Sequence, residues 1–506
     1  MTTPRISRRA VLGLTTGAAT VGAAAIVAPR LFPDTPAPTL VTGSSPAVAV
    51  KEAARTTTGR TVSRTLRASP TQIDLGGRTV QTWAFDQALP GPEIRVTAGD
   101  RLKVEVTNSL PDPTTVHWHG LALRNDMDGV PGLTQASIPP SGAMTYDFVV
   151  PDPGTYWFHP HVGVQLDTGL YAPLIVEDPA EPGSYDDEVV LVLDDWTDGW
   201  STSPDDILAG FRENGMASMT GSMADMSTGV SPTTPLGTDT GDVVYPGHLI
   251  NGKLAESPTV VRSESGNRIR FRIINAGADT AYRFAIAGHR LTVTHADGFP
   301  VDPVEVDTLI LGMGERYDVT VQVNDGTYDI VSEPEGKSDP PARAVLTTTP
   351  GRLDLPSYRR PAELDGRLLT YTDLIADAAV ALPDRPVDRD LTMTLQMGDG
   401  GREWLINDRI YDDRSPLSVT PGQRVRIAMK NDSTMFHPMH LHGHTFALAG
   451  ATSRGPRKDT VNVAPKSEQV VEFDAVNPGQ WLAHCHNAYH GELGMMTVLS
   501  YVEPSS

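Results

Sequence analysis

The chain has 506 residues, enough for about three domains. Its net charge of −21 argues against a nucleic-acid or anionic-membrane partner and for solubility. A single cysteine excludes an internal disulfide framework, and a lone thiol in an exported chain is expected to be chemically occupied.

The N-terminus reads as an export signal. Ser7-Arg8-Arg9-Ala10-Val11-Leu12 is a twin-arginine pattern, and a mildly apolar stretch runs from Val11 to Val27. Twin-arginine export carries folded proteins, which suits a chain that loads a metal first. The expected destination is the periplasm, the cell envelope or the extracellular space. The competing reading is an uncleaved membrane anchor, for which the run is short and weakly apolar. Signal peptide and linker are placed at 1–45, and the Pro-, Thr-, Ala- and Ser-rich stretch from 28 to about 65 reads as disordered.

From about 66 short alternating strands take over. Thr79–Phe85, Glu93–Thr97 and Arg101–Thr107 are separated by Pro-Gly and Gly-Asp turns, and Leu102, Val104 and Val106 share one face. His117-Trp118-His119-Gly120 follows. The frame of strand, Gly turn, alternating strand and Asn returns near 250 and again near 407. Three copies at about 150-residue spacing predict three like domains, at 66–180, 185–350 and 365–506. The high Gly and Pro content makes each an all-β Greek-key sandwich or small barrel.

The middle copy has no His-x-His pair and is read as having kept the fold without a metal. His248, His289, His295 and His444 are read as structural or surface residues. The same copy carries an insert at 213–230 with Met216, Met219, Met223 and Met226 on one potential helical face. That face either docks on a core or offers thioethers to Cu(I). The stretch from Gly229 to Thr240 reads as a flexible loop.

Four His-x-His pairs stand out: His117/His119, His159/His161, His440/His442 and His484/His486, eight of the 14 histidines. Residues i and i+2 of a strand share a face, so each pair presents two imidazoles together. Two pairs lie in the first domain and two in the third, which predicts those domains face to face around a cluster of metals. Cys485 alternates with its neighbours, so His484 and His486 point away from it. Cys485, His437 and His490 with a weak axial Met495 form the ligand set of a blue-copper electron-transfer site, with Met496 competing for the axial place.

His117-Trp-His-Gly120, His159-Pro-His161, His437-Pro-Met-His-Leu-His442 and His484-Cys-His486 with His490 resemble, in order and spacing, the four copper signatures of the multicopper oxidases. The resemblance implies three cupredoxin-like domains and four copper ions. Type 1 copper would take His437, Cys485, His490 and Met495. Type 2 would take His117 and His440, and the type 3 pair His119, His159, His161, His442, His484 and His486. It also implies four one-electron oxidations coupled to reduction of O2 to two waters, with electrons passing through Cys485 and its flanking histidines.

Asp128 matches by its spacing from His117 the acid near the cluster in bacterial relatives. Their usual acid directly after the last type 1 histidine is Gly491 here, with Glu492 one residue on as the candidate second proton donor. For substrate, the Met insert and Met435, where copper-efflux oxidases resemble this chain, favour Cu(I). A laccase-like oxidase of small phenols is the alternative, and a non-catalytic copper-binding protein the third reading. A monomer is expected.

Overall fold

The computed structural model describes residues 39–181, 183–216, 230–355, 357–450 and 454–504. The twin-arginine segment, Met219, Met223 and Met226 lie outside the described residues.

Among the described residues the strands form six sheets, two for each sequence copy. In Arg101–Asn108, Leu102, Val104 and Val106 are buried while Arg101, Lys103 and Glu105 are exposed, so the hydrophobic period of two sets which face packs. That strand pairs parallel with Thr61–Asp74. The same parallel pair recurs as Arg268–Asn275 with Asp187–Trp196 and as Arg424–Asn431 with Arg389–Gly398. The second sheet of each copy repeats another parallel pair: Ile94–Thr97 with Ala172–Glu177, Thr259–Arg262 with Ala342–Thr347, and Leu417–Val419 with Met496–Tyr501. Three copies of one paired-sheet plan therefore follow each other along the chain, each around its own apolar core.

Two stretches depart from the sequence reading. Residues 39–65 are not a loose linker. Leu40 bridges Val502, Pro46–Ala53 is a helix, and Thr61 already begins a strand. Composition hid two anchors, Val41 and Val48, which are buried in the third copy's core. Nor is the described part of the 229–240 loop free. Leu236 packs with Met313 and Phe436, and the Thr240 hydroxyl donates to the Glu335 carbonyl.

Candidate metal centres

The first pair of histidine motifs is joined by strand pairing. His117–His119 runs antiparallel to Gly154–His159, with His117 opposite His159 and His119 opposite Trp157. In the third copy His437–Leu441 pairs with Gln480–Cys485, placing Met439 opposite Cys485 and His440 opposite His484. Alternation then puts His437 on the Cys485 face and His440 with His484 on the other. Met496 stands opposite His484, which leaves Met495 on the Cys485 side.

On that side the Cys485 thiol lies 3.6 Å from Nδ1 of both His437 and His490, and the two Nδ1 atoms are 3.1 Å apart. His490 is brought round by the short helix Ala488–Glu492, capped by Asn487, whose side chain accepts the N–H groups of Tyr489 and His490. The far nitrogens are held. Ser433 Oγ is 2.8 Å from His437 Nε2, and Asp242 Oδ2 is 2.9 Å from His490 Nε2. These partners direct both Nδ1 atoms toward the sulfur, as outer hydrogen bonds do for metal-binding imidazoles. Met495 is buried in the same core cluster as Cys485. Trp404 stacks on His490 with ring centroids 4.1 Å apart.

Behind the tripeptide the other eight histidines converge. His119, His159 and His486 form one close group, and His161, His442 and His484 a second. His117 and His440 remain, their ring centroids 5.7 Å apart, with His117 stacked on His442 and His440 on His119. Outer nitrogens are taken by acceptors. Nδ1 of His117 donates to the Asp128 carbonyl, of His159 to the Pro160 carbonyl, of His484 to the Cys485 carbonyl, and of His442 to Asp128 Oδ2 at 2.9 Å. Most inner nitrogens have no protein partner: Nε2 of His117, His159, His161 and His440, Nδ1 of His119, and both nitrogens of His486, while Nε2 of His442 and of His484 face each other at 3.1 Å. Buried polar atoms are ordinarily satisfied, so this concentration of unpartnered nitrogens calls for a ligand. Burial, and then neighbouring rings, keep His119, His159, His161, His442, His484 and His486 well below the usual histidine range. Neutral imidazoles are the form that binds a metal. All-nitrogen groups behind a His2Cys group fit copper.

The two acids singled out by sequence sit at this cluster. Asp128 is fully buried against His442 and His117, its Oδ1 3.2 Å from His117 Nδ1. Glu492 lines a cleft of about 30 Å³ together with His159, His161, His484 and His486. Burial pushes its carboxyl up, with Arg212 opposing.

Two of the methionines offered to Cu(I) pack in a core, which for Met216 is the docking reading that the sequence left open. Met435 is 2% exposed and packs in the third copy's core. Met216 is equally buried, and its sulfur accepts the Trp404 indole N–H at 3.0 Å. In the short span before His437 and at the head of the insert, apolar packing took the sulfurs.

Sequence reasoning missed Asp459, Asp242 and Ser433. Asp459 Oδ1 accepts from His119 Nε2 at 3.1 Å, and its carbonyl accepts from His440 Nδ1 at 2.9 Å. No local pattern marks Asp459 or Asp242, which meet His119 and His490 only through the tertiary fold; Ser433, four residues before His437, was within reach of a spacing argument. The four remaining histidines have ordinary partners, such as Tyr282 for His248 and Tyr501 for His444.

Three paired-sheet repeats, a His2Cys group and an eight-histidine cluster behind it define a copper-dependent oxidase with cupredoxin-like domains. Models of the family described as multicopper oxidase match residues 67–181, 187–350 and 384–505. The chain belongs to the multicopper oxidases, oxidoreductases that use copper and O2. It is 46% identical over 499 residues to multicopper oxidase MmcO of Mycobacterium tuberculosis, covering 98% of this chain and 97% of that one. It is 27% identical to a copper resistance protein A homolog of Pseudomonas syringae pv. tomato, covering 85% and 90%. Among solved structures, the laccase from Botrytis aclada superposes with a TM-score of 0.72 at 25% identity, covering 88% of each chain.

Proposed function

We propose that this oxidase takes its electrons from Cu(I) and serves copper tolerance. His437, Cys485, His490 and axial Met495 would hold type 1 copper, His117 and His440 type 2, and the two three-histidine groups the type 3 pair, four copper ions in all. When bound, copper supplies one-electron oxidation at the front site and the four-electron, four-proton reduction of O2 to two waters at the back. The chain's own part begins at Cys485, whose peptide links to His484 and His486 make the shortest covalent path between the two. Asp128 keeps His442 oriented and holds a carboxylate at the cluster from which protons are passed. Glu492 stands at the cleft as the second donor.

The observation that carries the Cu(I) reading is at the edge of His490. Asp242 reaches its Nε2, and beside it Asp239 has a buried Oδ2 without a partner. Burial first, then the charge of Asp242, raise the Asp239 carboxyl to about 6. Two carboxylates next to an electron-accepting imidazole suit a cation that gives up one electron there. The insert at 213–230 begins at the same place, since Met216 touches Trp404 and Trp404 stacks on His490. The copper resistance relative supports the same reading. The alternative is a laccase-like reaction, in which Asp242 accepts the hydroxyl proton of a small phenol; the likeness to a laccase favours it.

Steady-state O2 uptake with Cu(I) and with a phenol panel separates them. Changing Met219, Met223 and Met226 together to Ser should lower Cu(I) oxidation while sparing or raising phenol oxidation. Equal Cu(I) kinetics in both proteins would sink the role of the insert. Phenol turnover far above Cu(I) turnover in the unaltered protein would transfer the assignment to the laccase reading. The Ser7–Leu12 pattern supports twin-arginine export to the periplasm, envelope or exterior. Because one chain supplies every ligand, we read the protein as a monomer.

A further inference from the structure

The middle repeat provides none of the histidines of either centre, yet it lies against the cluster. Its turn through Gly312–Arg316 passes beneath two imidazoles. A Cβ on Gly314, which has φ +86°, would stand 2.9 Å from His486 Cδ2 and 3.0 Å from His119 Cε1. From this turn Arg316, wholly buried, reaches Asp459. Nη1 donates to Asp459 Oδ1 and Nη2 to Oδ2, each at 2.7 Å, and Nε donates to the Thr155 carbonyl at 3.0 Å. Such a fork fixes a carboxylate in both position and plane, which a lysine ammonium does not do. The approach is so close that the residue after His119 must lack a side chain. A Cβ on Gly120 would lie 2.5 Å from Arg316 Nη2 and 2.7 Å from Asp459 Oδ2.

The fixed Asp459 takes opposite nitrogens of two rings. Its Oδ1 accepts from His119 Nε2, and its carbonyl accepts from His440 Nδ1. A neutral imidazole has one N–H and one lone pair. The nitrogens left to face the cluster are therefore Nδ1 of His119 and Nε2 of His440, and both are buried without a partner.

We infer that Arg316 and Asp459 are positioning residues that decide which nitrogen His119 turns toward the cluster, and that this is what the metal-free middle repeat contributes to O2 reduction. The inference rests on the cluster reading above. It links all three repeats through one pair: Arg316 from the second, Asp459 from the third, His119 from the first. A buried ion pair kept only for stability would show no such selectivity between the two centres.

Arg316→Lys keeps the charge and loses the fork, and Asp459→Asn keeps an oxygen for His119 but not the charge that Arg316 grips. Each is compared with the unaltered, copper-loaded protein for copper per chain, blue absorption, and the paramagnetic resonance of the non-blue copper. The expected result is a retained blue band with an altered or diminished non-blue signal. Reoxidation by O2 should slow at least about tenfold, while reduction of the blue centre by substrate is unchanged. Variants whose non-blue signal, copper count and reoxidation match the unaltered protein overturn the inference. So does loss of both centres in equal proportion, the mark of a merely structural pair. If Arg316→Lys yields no folded protein, Asp459→Glu, which keeps the charge but displaces it, reads the same quantities. An unaltered protein with a blue centre and no further copper would instead refute the cluster reading itself.

Discussion

The front and back centres are built by different routes. The front draws His437, Cys485 and His490 from one repeat: strand alternation brings Cys485 and His437 to one face, a capped helix brings His490 round, and only the outer partner Asp242 comes from the second repeat. The back draws its histidines from two repeats and has its outer hydrogen bonds supplied by Asp128 from the first and Asp459 from the third. The front is local and the back is an interface. Side chains around the front should therefore tune what reaches it, while those around the back should decide whether O2 is reduced at all.

The largest effect is expected at the back. Asp128→Ala removes the acceptor for His442 Nδ1 and the carboxylate beside His117. Loss of a positioned proton donor costs about 10²–10⁴ in rate, and this loss should appear in reoxidation by O2 and not in reduction by substrate. Stopped-flow measurement of the two half-reactions checks it; a defect confined to the substrate half would break the division between the centres.

A smaller effect is expected at the entry to the front. Asp239 faces Asp242, Asp279 and His490, and its carboxyl is raised to about 6 by burial and then by Asp242. It gains charge as pH rises through about 6, so KM for Cu(I) should fall across that range, and Asp239→Asn should flatten the fall and raise KM about tenfold near neutrality, a change of roughly 1.4 kcal/mol in binding. Stability runs the other way. A carboxyl raised in the folded state binds protons that the unfolded chain has released, so stability declines from about pH 4 to pH 6 and then levels. Thermal melts of Asp239→Asn should lose that part of the decline.

The smallest effect is expected at Met216. Met216→Leu keeps the volume and deletes the acceptor for the Trp404 indole, a change that costs less than about 1.5 kcal/mol. Cu(I) turnover should stay within about twofold, because the sulfur is engaged inside the core and not offered to substrate. A collapse of Cu(I) turnover with an unchanged melting temperature would restore Met216 as a ligand.

What was legible follows the same division. The strand pattern predicted Thr79–Phe85 to the residue, and the His-x-His spacing exposed all eight cluster histidines, because strand geometry converts spacing directly into facing. The separation of His484 and His486 from Cys485 was legible for the same reason. Arg316, Asp459 and Asp242 were not, since Asp459 meets His119, Asp242 meets His490 and Arg316 meets Asp459 only once the repeats close on each other. Residues 39–65 misled because their composition is rich in Thr, Ser and Ala, and two buried valines outweigh it only in the presence of the third repeat's core.

The most direct test of the two-centre account is copper content and colour in Cys485→Ser. The unaltered protein should carry four coppers per chain and an intense blue colour. Cys485→Ser should be colourless and keep the three coppers of the back cluster. A variant that stays blue, or one that loses all its copper together, would contradict the account.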